Sequence, residues 1–142
     1  YRIIPKTILC ILKKEKLSLQ GNGLSKRNFI YKEDFCNGIY CLIKKGKINN
    51  VYHFSGNELI TIKNIVRKIC KIKKYNFNKL VKYTKERKSL DGIYKLNIDK
   101  AKKELNWKTN YSLERGLQET INYIAKNYNK INKENSVYLH KN

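Results

Sequence analysis

The sequence predicts a mixed α/β domain with a small sheet and several helices. Helix-periodic apolar segments alternate with short strand-like ones, in the order helix, strand, helix, strand, helix, strand, helix, helix. Apolar residues form 41% of the 142 residues, which is enough for a buried core. Every apolar run is shorter than the roughly 18 residues that cross a membrane, so no membrane segment is expected.

The first helix is predicted to begin at Pro5, because Ile8, Leu9 and Leu12 then share one face. Residues 17–19 alternate apolar and polar side chains, which is typical of a short strand. The chain is therefore expected to enter the sheet directly after this helix.

The sequence Gly-Asn-Gly at residues 21–23 follows this strand and is interpreted as a hairpin turn. It fits neither the dinucleotide-binding nor the P-loop pattern, because Lys26 stands where a third glycine would be needed. Residues 29–31 are predicted to be extended, and a second helix is predicted over Lys32–Lys45, closed by Gly46. The apolar face of that helix holds Phe35, Ile39, Leu42 and Ile43.

The middle of the chain contains two further predicted strands, at residues 51–54 and 80–84. Thr61 is expected to cap the helix between them. Residues 73–80 are polar and predicted to form a loop, and residues 86–92 are charged and irregular. The apolar face of the third helix is formed by Ile62, Ile65, Val66, Ile69 and Ile72.

Two helices are predicted near the end of the chain. The first covers residues 98–105 and is capped by Asn97, and Ser112 caps the second. The apolar face of the last helix holds Leu113, Leu117, Ile121 and Ile124. Residues 1–128 are thus expected to form one domain, and residues 129–142 a polar tail.

The formal net charge of +21 points to an anionic partner, such as a nucleic acid, a membrane surface or a phosphorylated small molecule. Most of this charge reflects composition, because lysine dominates the 32 basic residues of a chain that is also rich in Asn, Ile and Tyr. Arginine is the better guide to a site, since its planar fork binds anions bidentately and lysine cannot. The arginines are Arg2, Arg27, Arg67, Arg87 and Arg115.

The four cysteines form no C-x-x-C pair, and the chain has only two histidines, so a zinc site is not expected. Cys10, Cys36 and Cys70 fall within apolar helical patterns. This placement predicts buried free thiols in a reducing compartment.

No catalytic constellation is visible in the sequence. The spacing Tyr-x-x-x-Lys occurs at Tyr40 and Lys44 and at Tyr75 and Lys79, which is about as often as composition alone predicts. The first pair lies on an ordinary amphipathic helix and the second in a polar loop. No Ser/His/Asp set, paired-carboxylate site or metal cluster is recognisable either. We therefore assign no catalytic, cofactor-binding or metal-binding residue to this chain.

Five segments carry a resemblance to a known family. They read R-I-I-P at 2–5, Q-G-N-G-L-S-K-R-N-F-I-Y-K-E-D at 20–34, Y-H-F-S-G at 52–56, E-R-K-S-L-D-G-I-Y at 86–94, and K-x-x-x-E-L-N-W with S-L-E-R-G-L-x-x-T within 100–120. In this order and spacing they resemble the C-terminal, substrate-binding part of the extended short-chain dehydrogenase/reductases, the NAD-dependent epimerase/dehydratase family. The dTDP-glucose 4,6-dehydratases are the most similar branch.

The resemblance implies a substrate-binding domain for a nucleoside diphosphate sugar, with NAD held by an N-terminal Rossmann domain that these residues do not include. The family's catalytic Thr-Asp-Glu segment and Tyr-x-x-x-Lys lie in that upstream part, so this chain alone is expected to be inactive and to bind no cofactor. In the intact enzyme the hexose would be oxidised transiently at C4, lose water across C5–C6 and receive hydride at C6. A cytoplasmic homodimer, formed through the missing domain, is also implied.

The resemblance gives two arginines a role. Arg27 and Arg87 match positions that bind the phosphates or the nucleotide of the substrate, and a buried diphosphate needs such charge-assisted, bidentate partners. The other positions implied to line the nucleotide pocket are Arg2, Ile3, Ser18, Leu19, Gln20, Thr61, Glu86, Lys88, Ser89 and Leu90.

Six positions depart from the family pattern. Gln20 replaces a tyrosine and loses its aromatic contact, residues 88–90 replace Pro-Gly-His, and Thr61 stands where asparagine is frequent. Asn106 replaces the glycine of L-G-W. Asparagine tolerates the left-handed conformation that a helix end needs, so this turn is expected to survive.

Three alternatives remain open. An epimerase or a decarboxylase of the same family would share this domain. A basic RNA-binding module would use the charge and the tyrosines, but the tyrosines are scattered and no RNA-binding motif is present, so no nucleic acid partner is expected. A domain that folds and binds nothing, left by a truncated gene, is the third alternative.

Overall fold

The computed structural model describes residues 2–85 and 91–133 and confirms the mixed α/β class. The helices of this part of the chain are α1 (Ile3–Lys13), α2 (Lys32–Lys45), α3 (Ile62–Ile72), α4 (Phe77–Leu80), α5 (Asp99–Leu105), α6 (Leu113–Lys126) and α7 (Tyr128–Lys133). The strands are β1 (Leu17–Gln20), β2 (Lys26–Asn28), β3 (Leu59–Thr61), β4 (Val81–Thr84) and β5 (Ile93–Tyr94).

The strands form two small sheets, whereas the sequence predicted one. In the first sheet β1 pairs in parallel with β4, so that Gln20 lies opposite Thr84. In the second, β2 is the central strand, antiparallel to β3 and parallel to β5. Arg27 in β2 is therefore paired with Ile60 on one side and with Tyr94 on the other.

Side chains cap the starts of two helices, as predicted. The Thr61 Oγ1 accepts a hydrogen bond from the backbone N–H of Asn64 at 3.1 Å, and Ser112 Oγ accepts one from the N–H of Arg115 at 3.2 Å. Asn106 ends α5 in the left-handed conformation, with φ 52° and ψ 34°. These caps place the start of α3 and α6 and the end of α5.

Two local predictions are wrong. Residues 51–54 form no strand, because no described segment pairs with them. The loop predicted at 73–80 contains α4, because the side chain of Asn76 caps it by accepting from the N–H of Lys79. Further on, α7 includes the first residues of the predicted polar tail.

The turn at residues 21–23 is tight, but it is not a hairpin, because β1 and β2 belong to different sheets. The N–H of Gly23 donates to the carbonyl of Gln20 at 3.2 Å, which closes the turn. Gly23 has φ +66°, and a Cβ atom there would lie 2.8 Å from Cδ2 of Leu19. Glycine is thus required at this point by conformation and by space.

The main core is built from helices. α1 packs against both α3 and α6, and β1 closes the cluster below them. The predicted apolar faces of α3 and α6 point into it. Its fully buried side chains are Ile8, Leu17, Ile65, Val66, Ile69 and Leu80.

A second, smaller cluster surrounds Trp107, which is almost fully buried. The ring of Phe54 meets the indole edge to face, with centroids 5.0 Å apart. Gly38 allows this packing, because a Cβ atom there would lie 2.7 Å from the Phe54 ring. Beside the cluster, the hydroxyl of Tyr52 donates to Oε2 of Glu104 at 2.7 Å.

Asp34 joins α2 to the segment that leads into α6. Its side chain is 2% exposed, and its two carboxylate oxygens accept from the N–H groups of Asn110 at 2.9 Å and Tyr111 at 3.1 Å. Its backbone carbonyl also accepts from Nε1 of Trp107 at 3.0 Å. A buried carboxylate is tolerated here because both oxygens have partners.

The apolar face predicted for α2 is only partly covered within this chain. Leu42 packs against the Trp107 cluster and Gly38 against Phe54, whereas Phe35, Ile39 and Ile43 are exposed. Cys36 lies on the exposed side of α2 as well, so its predicted burial is wrong.

The predicted burial of Cys10 and Cys70 is confirmed, since both lie in the main core. Burial raises the pKa of each thiol. These two cysteines therefore act as apolar packing groups.

Replacing Asp34 with Asn should destabilise the fold by about 1.5–3 kcal/mol, the cost of losing a buried charged hydrogen bond. The new amide N–H₂ would face a backbone N–H donor. Urea unfolding measures the change, with Glu119→Gln, an exposed carboxylate on α6, as the control. Equal unfolding free energies for the two variants would contradict this role for Asp34.

Replacing Tyr52 with Phe should destabilise the protein in a pH-dependent way. The hydrogen bond from Tyr52 lowers the pKa of Glu104 and raises that of Tyr52. A lowered carboxyl pKa means that the stabilisation is present above the ordinary glutamate pKa and is lost as the pH falls through the folded value. The raised pKa of Tyr52 means that the stabilisation is also lost when the pH rises through the folded value of this tyrosine, in strong base.

The urea midpoints of wild type and Tyr52→Phe should therefore differ at pH 7 and differ less at about pH 3, below the ordinary glutamate pKa of about 4.3. Tyr123→Phe, on the exposed side of α6, is the control for loss of a tyrosine hydroxyl. A difference that stays constant between these two pH values would show that the bond to Glu104 is not its cause.

Replacing Gly23 with Ala should cost more than about 1 kcal/mol, because the alanine meets both a left-handed backbone and the Leu19 side chain. Gly92→Ala is a matched control, since a Cβ atom at Gly92 meets nothing within 4 Å. Urea unfolding of both variants checks this. The expectation fails if Gly23→Ala is no more destabilising than its control.

Candidate functional site

A cleft of about 340 Å³ lies where α1, β1, β2 and the end of β4 meet. Several of the residues singled out from the sequence share this cleft. Its lining residues are Ile3, Lys6, Ser18, Leu19, Gln20, Gly23, Ser25, Arg27, Ile62 and Thr84.

The structure brings five of the predicted site residues together in this cleft: Ile3, Ser18, Leu19, Gln20 and Arg27. They come from three elements, so their meeting depends on the tertiary fold. The pairing of β1 with β4 places the end of β1 in the wall of the cleft, and the central position of β2 places its arginine there.

Arg27 is held in a defined orientation at the cleft. Its Nη1 donates to the carbonyl of Lys26 at 2.7 Å, and its Nη2 donates to the carbonyl of Asp91 at 2.8 Å. The ring of Tyr94 lies 6.0 Å from the guanidinium carbon. Two of the five guanidinium N–H donors are thus engaged, and the other three make no hydrogen bond to the described residues. The guanidinium of Arg27 therefore has N–H donors left with which to bind an oxyanion.

Some backbone N–H groups around the cleft are already used within the fold. The first N–H groups of α3 are bonded, because Ile62 donates to the carbonyl of Ser25 at 2.9 Å and Lys63 to that of Gly23 at 2.8 Å. The N–H of Gly21 donates to the carbonyl of Thr84 at 2.8 Å. These particular N–H groups are therefore not available to bind an anion.

Sequence reasoning missed several residues of the cleft, including Lys6 and Thr84. Lys6 could have been predicted from the sequence, because it lies one helical turn after Ile3 on α1 and so shares its face. Thr84 could not have been predicted, because its position in the cleft depends on the parallel pairing with Gln20, which no local sequence pattern reveals. Lys6 adds a second positive charge beside Arg27.

Other predicted site residues are not in the lining of the cleft. Arg2 is exposed and directly precedes α1. Thr61 lies in a different, shallow groove, because its side chain caps α3. Residues 86–90, which include Glu86, Arg87, Lys88, Ser89 and Leu90, lie outside the described residues. Of the described residues near this segment, Thr84 lines the cleft and the carbonyl of Asp91 accepts a hydrogen bond from Arg27.

A second cavity of about 230 Å³ lies between α1, α2 and α6, and its walls include Phe29 and Leu117. At its edge the hydroxyl of Tyr111 donates to Oε2 of Glu33, and this bond raises the pKa of Tyr111. The guanidinium carbon of Arg115 lies 4.4 Å from the centre of the Tyr111 ring. These side chains fix the loop before α6 and were not predicted from the sequence.

Within residues 2–85 and 91–133, no three His, Cys, Asp or Glu side chains come close enough to hold a metal ion. In the same part of the chain, every helix is too short or too polar to pass through a bilayer.

Comparison with known proteins places this geometry in a family. Residues 1–120 match the family described as GDP-mannose 4,6 dehydratase. The dTDP-glucose 4,6-dehydratase of Shigella flexneri is 27% identical over 134 residues, which is 90% of this chain and 37% of the relative. The chain thus spans well under half the length of the curated relatives that it matches.

Solved structures agree with the fold. The dTDP-glucose 4,6-dehydratase of Bacillus anthracis, solved in complex with NAD, is 31% identical, with a TM-score of 0.84 over 90% of this chain and 40% of that one. The UDP-glucose 4-epimerase of Thermotoga maritima, solved with UDP-glucose, is 25% identical, with a TM-score of 0.83 over 89% of this chain. The resemblance inferred from the five sequence segments is therefore confirmed, and the chain belongs to the GDP-mannose 4,6-dehydratase family.

Proposed function

We propose that this chain is the substrate-binding part of a nucleotide-sugar 4,6-dehydratase and that the diphosphate of the substrate binds in the cleft beside Arg27. The convergence of five predicted residues on one cleft is the observation that carries this proposal. The relatives named as dTDP-glucose 4,6-dehydratases support the dehydratase assignment.

The charge of the cleft supports an anionic ligand. Arg27 offers three N–H donors and Lys6 an ammonium group, and both line the same wall. Arg87, which follows Thr84 by three residues, would be the second arginine on the diphosphate. Ser18, Gln20 and the neighbouring apolar side chains would contact the nucleoside.

In the complete enzyme the task of this chain is positioning. The intact enzyme would use NAD, bound outside the residues of this chain, for hydride transfer at the hexose. A diphosphate held at Arg27 would fix the distance between the nucleotide and the sugar, so that the hexose is presented in one orientation. The homodimer and the cytoplasmic location implied by the family resemblance stay predictions.

A nucleotide-sugar epimerase is the second candidate, favoured by the similarity to the Thermotoga maritima UDP-glucose 4-epimerase. The base of the nucleotide does not separate the two candidates, because one relative, from Arabidopsis thaliana, is named as a UDP-glucose 4,6-dehydratase. Titration of the chain with dTDP and with UDP, compared by dissociation constant, identifies the base that the chain prefers.

Replacing Arg27 with Ala should weaken dTDP binding by about 10- to 150-fold, since a hydrogen bond to a charged group is worth about 1.5–3 kcal/mol. Arg27→Lys should fall between wild type and Ala, because it keeps the charge but not the fork. Isothermal titration of the chain with dTDP gives the three dissociation constants.

Arg115→Ala is the matched control, because Arg115 is exposed on α6 and is not in the lining of the cleft. Urea unfolding of Arg27→Ala checks that any loss of binding is not a loss of folding. An unchanged dissociation constant in a folded Arg27→Ala variant would falsify the assigned role of this residue.

A further inference from the structure

A basic groove of about 620 Å³ lies between β3 and α3. Leu59 and Ile60 of β3 line it on one side. Its exposed positive charges are those of Arg67 and Lys71 on α3 and of Lys26 on β2. The basic groove shares no lining residue with the cleft that holds the proposed diphosphate site, so the two are separate surfaces of the described chain.

The two cations on α3 are available to a ligand. Arg67 and Lys71 form no ion pair with any described residue. The guanidinium carbon of Arg67 lies 5.1 Å from the centre of the Phe77 ring, and this contact restricts its position. The carboxylate in the lining, that of Glu58, lies 4.0 Å from the ammonium of Lys68, which offsets its charge. The net attraction of the groove is therefore for a negatively charged ligand.

The spacing of these two cations fits an extended peptide. Arg67 and Lys71 are four residues apart on one helix, which corresponds to about 6 Å along its axis. Alternate side chains of an extended chain lie on the same side and are about 6.6 Å apart. Two carboxylates at alternate positions of a peptide can therefore meet both cations at once, whereas carboxylates at adjacent positions point to opposite sides.

The lining favours a peptide over a nucleic acid. None of the described lining residues is aromatic, so the bases of a single strand would have no ring on which to stack. The groove instead borders an open strand edge, because among the described strands β3 pairs only with β2. Such an edge offers backbone hydrogen-bonding groups to an extended peptide.

We propose that the basic groove is the docking site for an extended acidic segment of a partner protein, with carboxylates at alternate positions. The segment lies along the open edge of β3, and two of its carboxylates bind Arg67 and Lys71. This interaction goes beyond the proposed positioning of a nucleotide sugar and does not depend on it, because it uses a different surface.

The sequence excludes a second copy of this chain as the source of the segment. The chain has 11 Asp and Glu residues, and no two of them stand at alternate positions. Two copies, each with a formal charge of +21, would also repel one another. The partner is therefore a different protein, and its acidic segment is attracted by the charge that keeps two copies apart.

Two peptides of identical composition test the spacing. Acetyl-Val-Glu-Val-Glu-Val-amide has its carboxylates at alternate positions, and acetyl-Glu-Glu-Val-Val-Val-amide has them at adjacent ones. Titration of the whole chain, followed by NMR, gives both dissociation constants. We expect the alternating peptide to bind about 3-fold or more tightly, the worth of one exposed ion pair. General attraction by the positive chain would act equally on both peptides, because they have the same charge.

Replacing both Arg67 and Lys71 with Gln should weaken binding of the alternating peptide by about 5-fold or more, because both ion pairs are lost. The control replaces Lys102 and Lys103 with Gln, which removes two positive charges from exposed positions of α5 and should have a smaller effect. Urea unfolding checks that both double variants are folded. If the first is not, the comparison of the two peptides on the wild-type chain still tests the proposal.

The chemical shifts that change on peptide binding should belong to residues 59–71 rather than to the cleft. Three results would overturn the proposal: equal dissociation constants of the two peptides, equal effects of the two folded double variants, or shift changes centred on the cleft. Tighter binding in the groove by a thymidine trinucleotide, whose two phosphates carry the same charge as the peptide, would also overturn it, since the groove would then be a nucleic-acid site.

Discussion

The carbonyl groups of Gly23 and Ser25 are the point at which the walls of the cleft are joined. They accept hydrogen bonds from the first N–H groups of α3, and so connect the turn after β1, the start of β2 and the helix. This arrangement uses up the helix terminus that would otherwise attract an anion. The start of α3 therefore does not supply the attraction for a phosphate, and Arg27 and Lys6 are the cations in the lining.

Most of the helical structure was predictable, because helix signals are local. The bounds of α2 agree with the prediction to the residue, and the caps Thr61 and Ser112 act as expected. Asn106 adopts the left-handed conformation that its replacement of glycine implied. Each of these predictions uses only neighbours within one or two turns of the chain.

The strands were predicted less well, because pairing is decided by distant segments. Residues 51–54 have better strand character than β2 by composition, yet β2 has partners on both sides and residues 51–54 have none among the described residues. The same dependence on distant segments explains why only part of the cleft could be predicted. The resemblance found five of its residues, whereas Thr84 is brought there by the pairing of β1 with β4. Hydrophobic periodicity identifies an apolar helix face but does not reveal whether another element packs against it. The exposure of Phe35, Ile39 and Ile43 could therefore not be predicted.

Asn28 connects the strand of Arg27 to a distant segment of the chain. This residue ends β2, directly after Arg27, and its Nδ2 donates to the carbonyl of Gly56 at 3.0 Å. The strand that carries the proposed phosphate ligand is therefore bonded to a further segment besides its two partner strands.

The carbonyl of Asp91 that orients Arg27 comes from a residue 64 positions further along the chain. Closing so long a loop costs conformational entropy before any contact repays it, and folding slows when the decisive contacts are distant in sequence. The helices can form early from local signals, but the guanidinium acquires its orientation only when β5 has joined β2. The anion site is therefore completed late in folding. A nascent chain that ends before β5 would contain Arg27 but not the carbonyl that orients it.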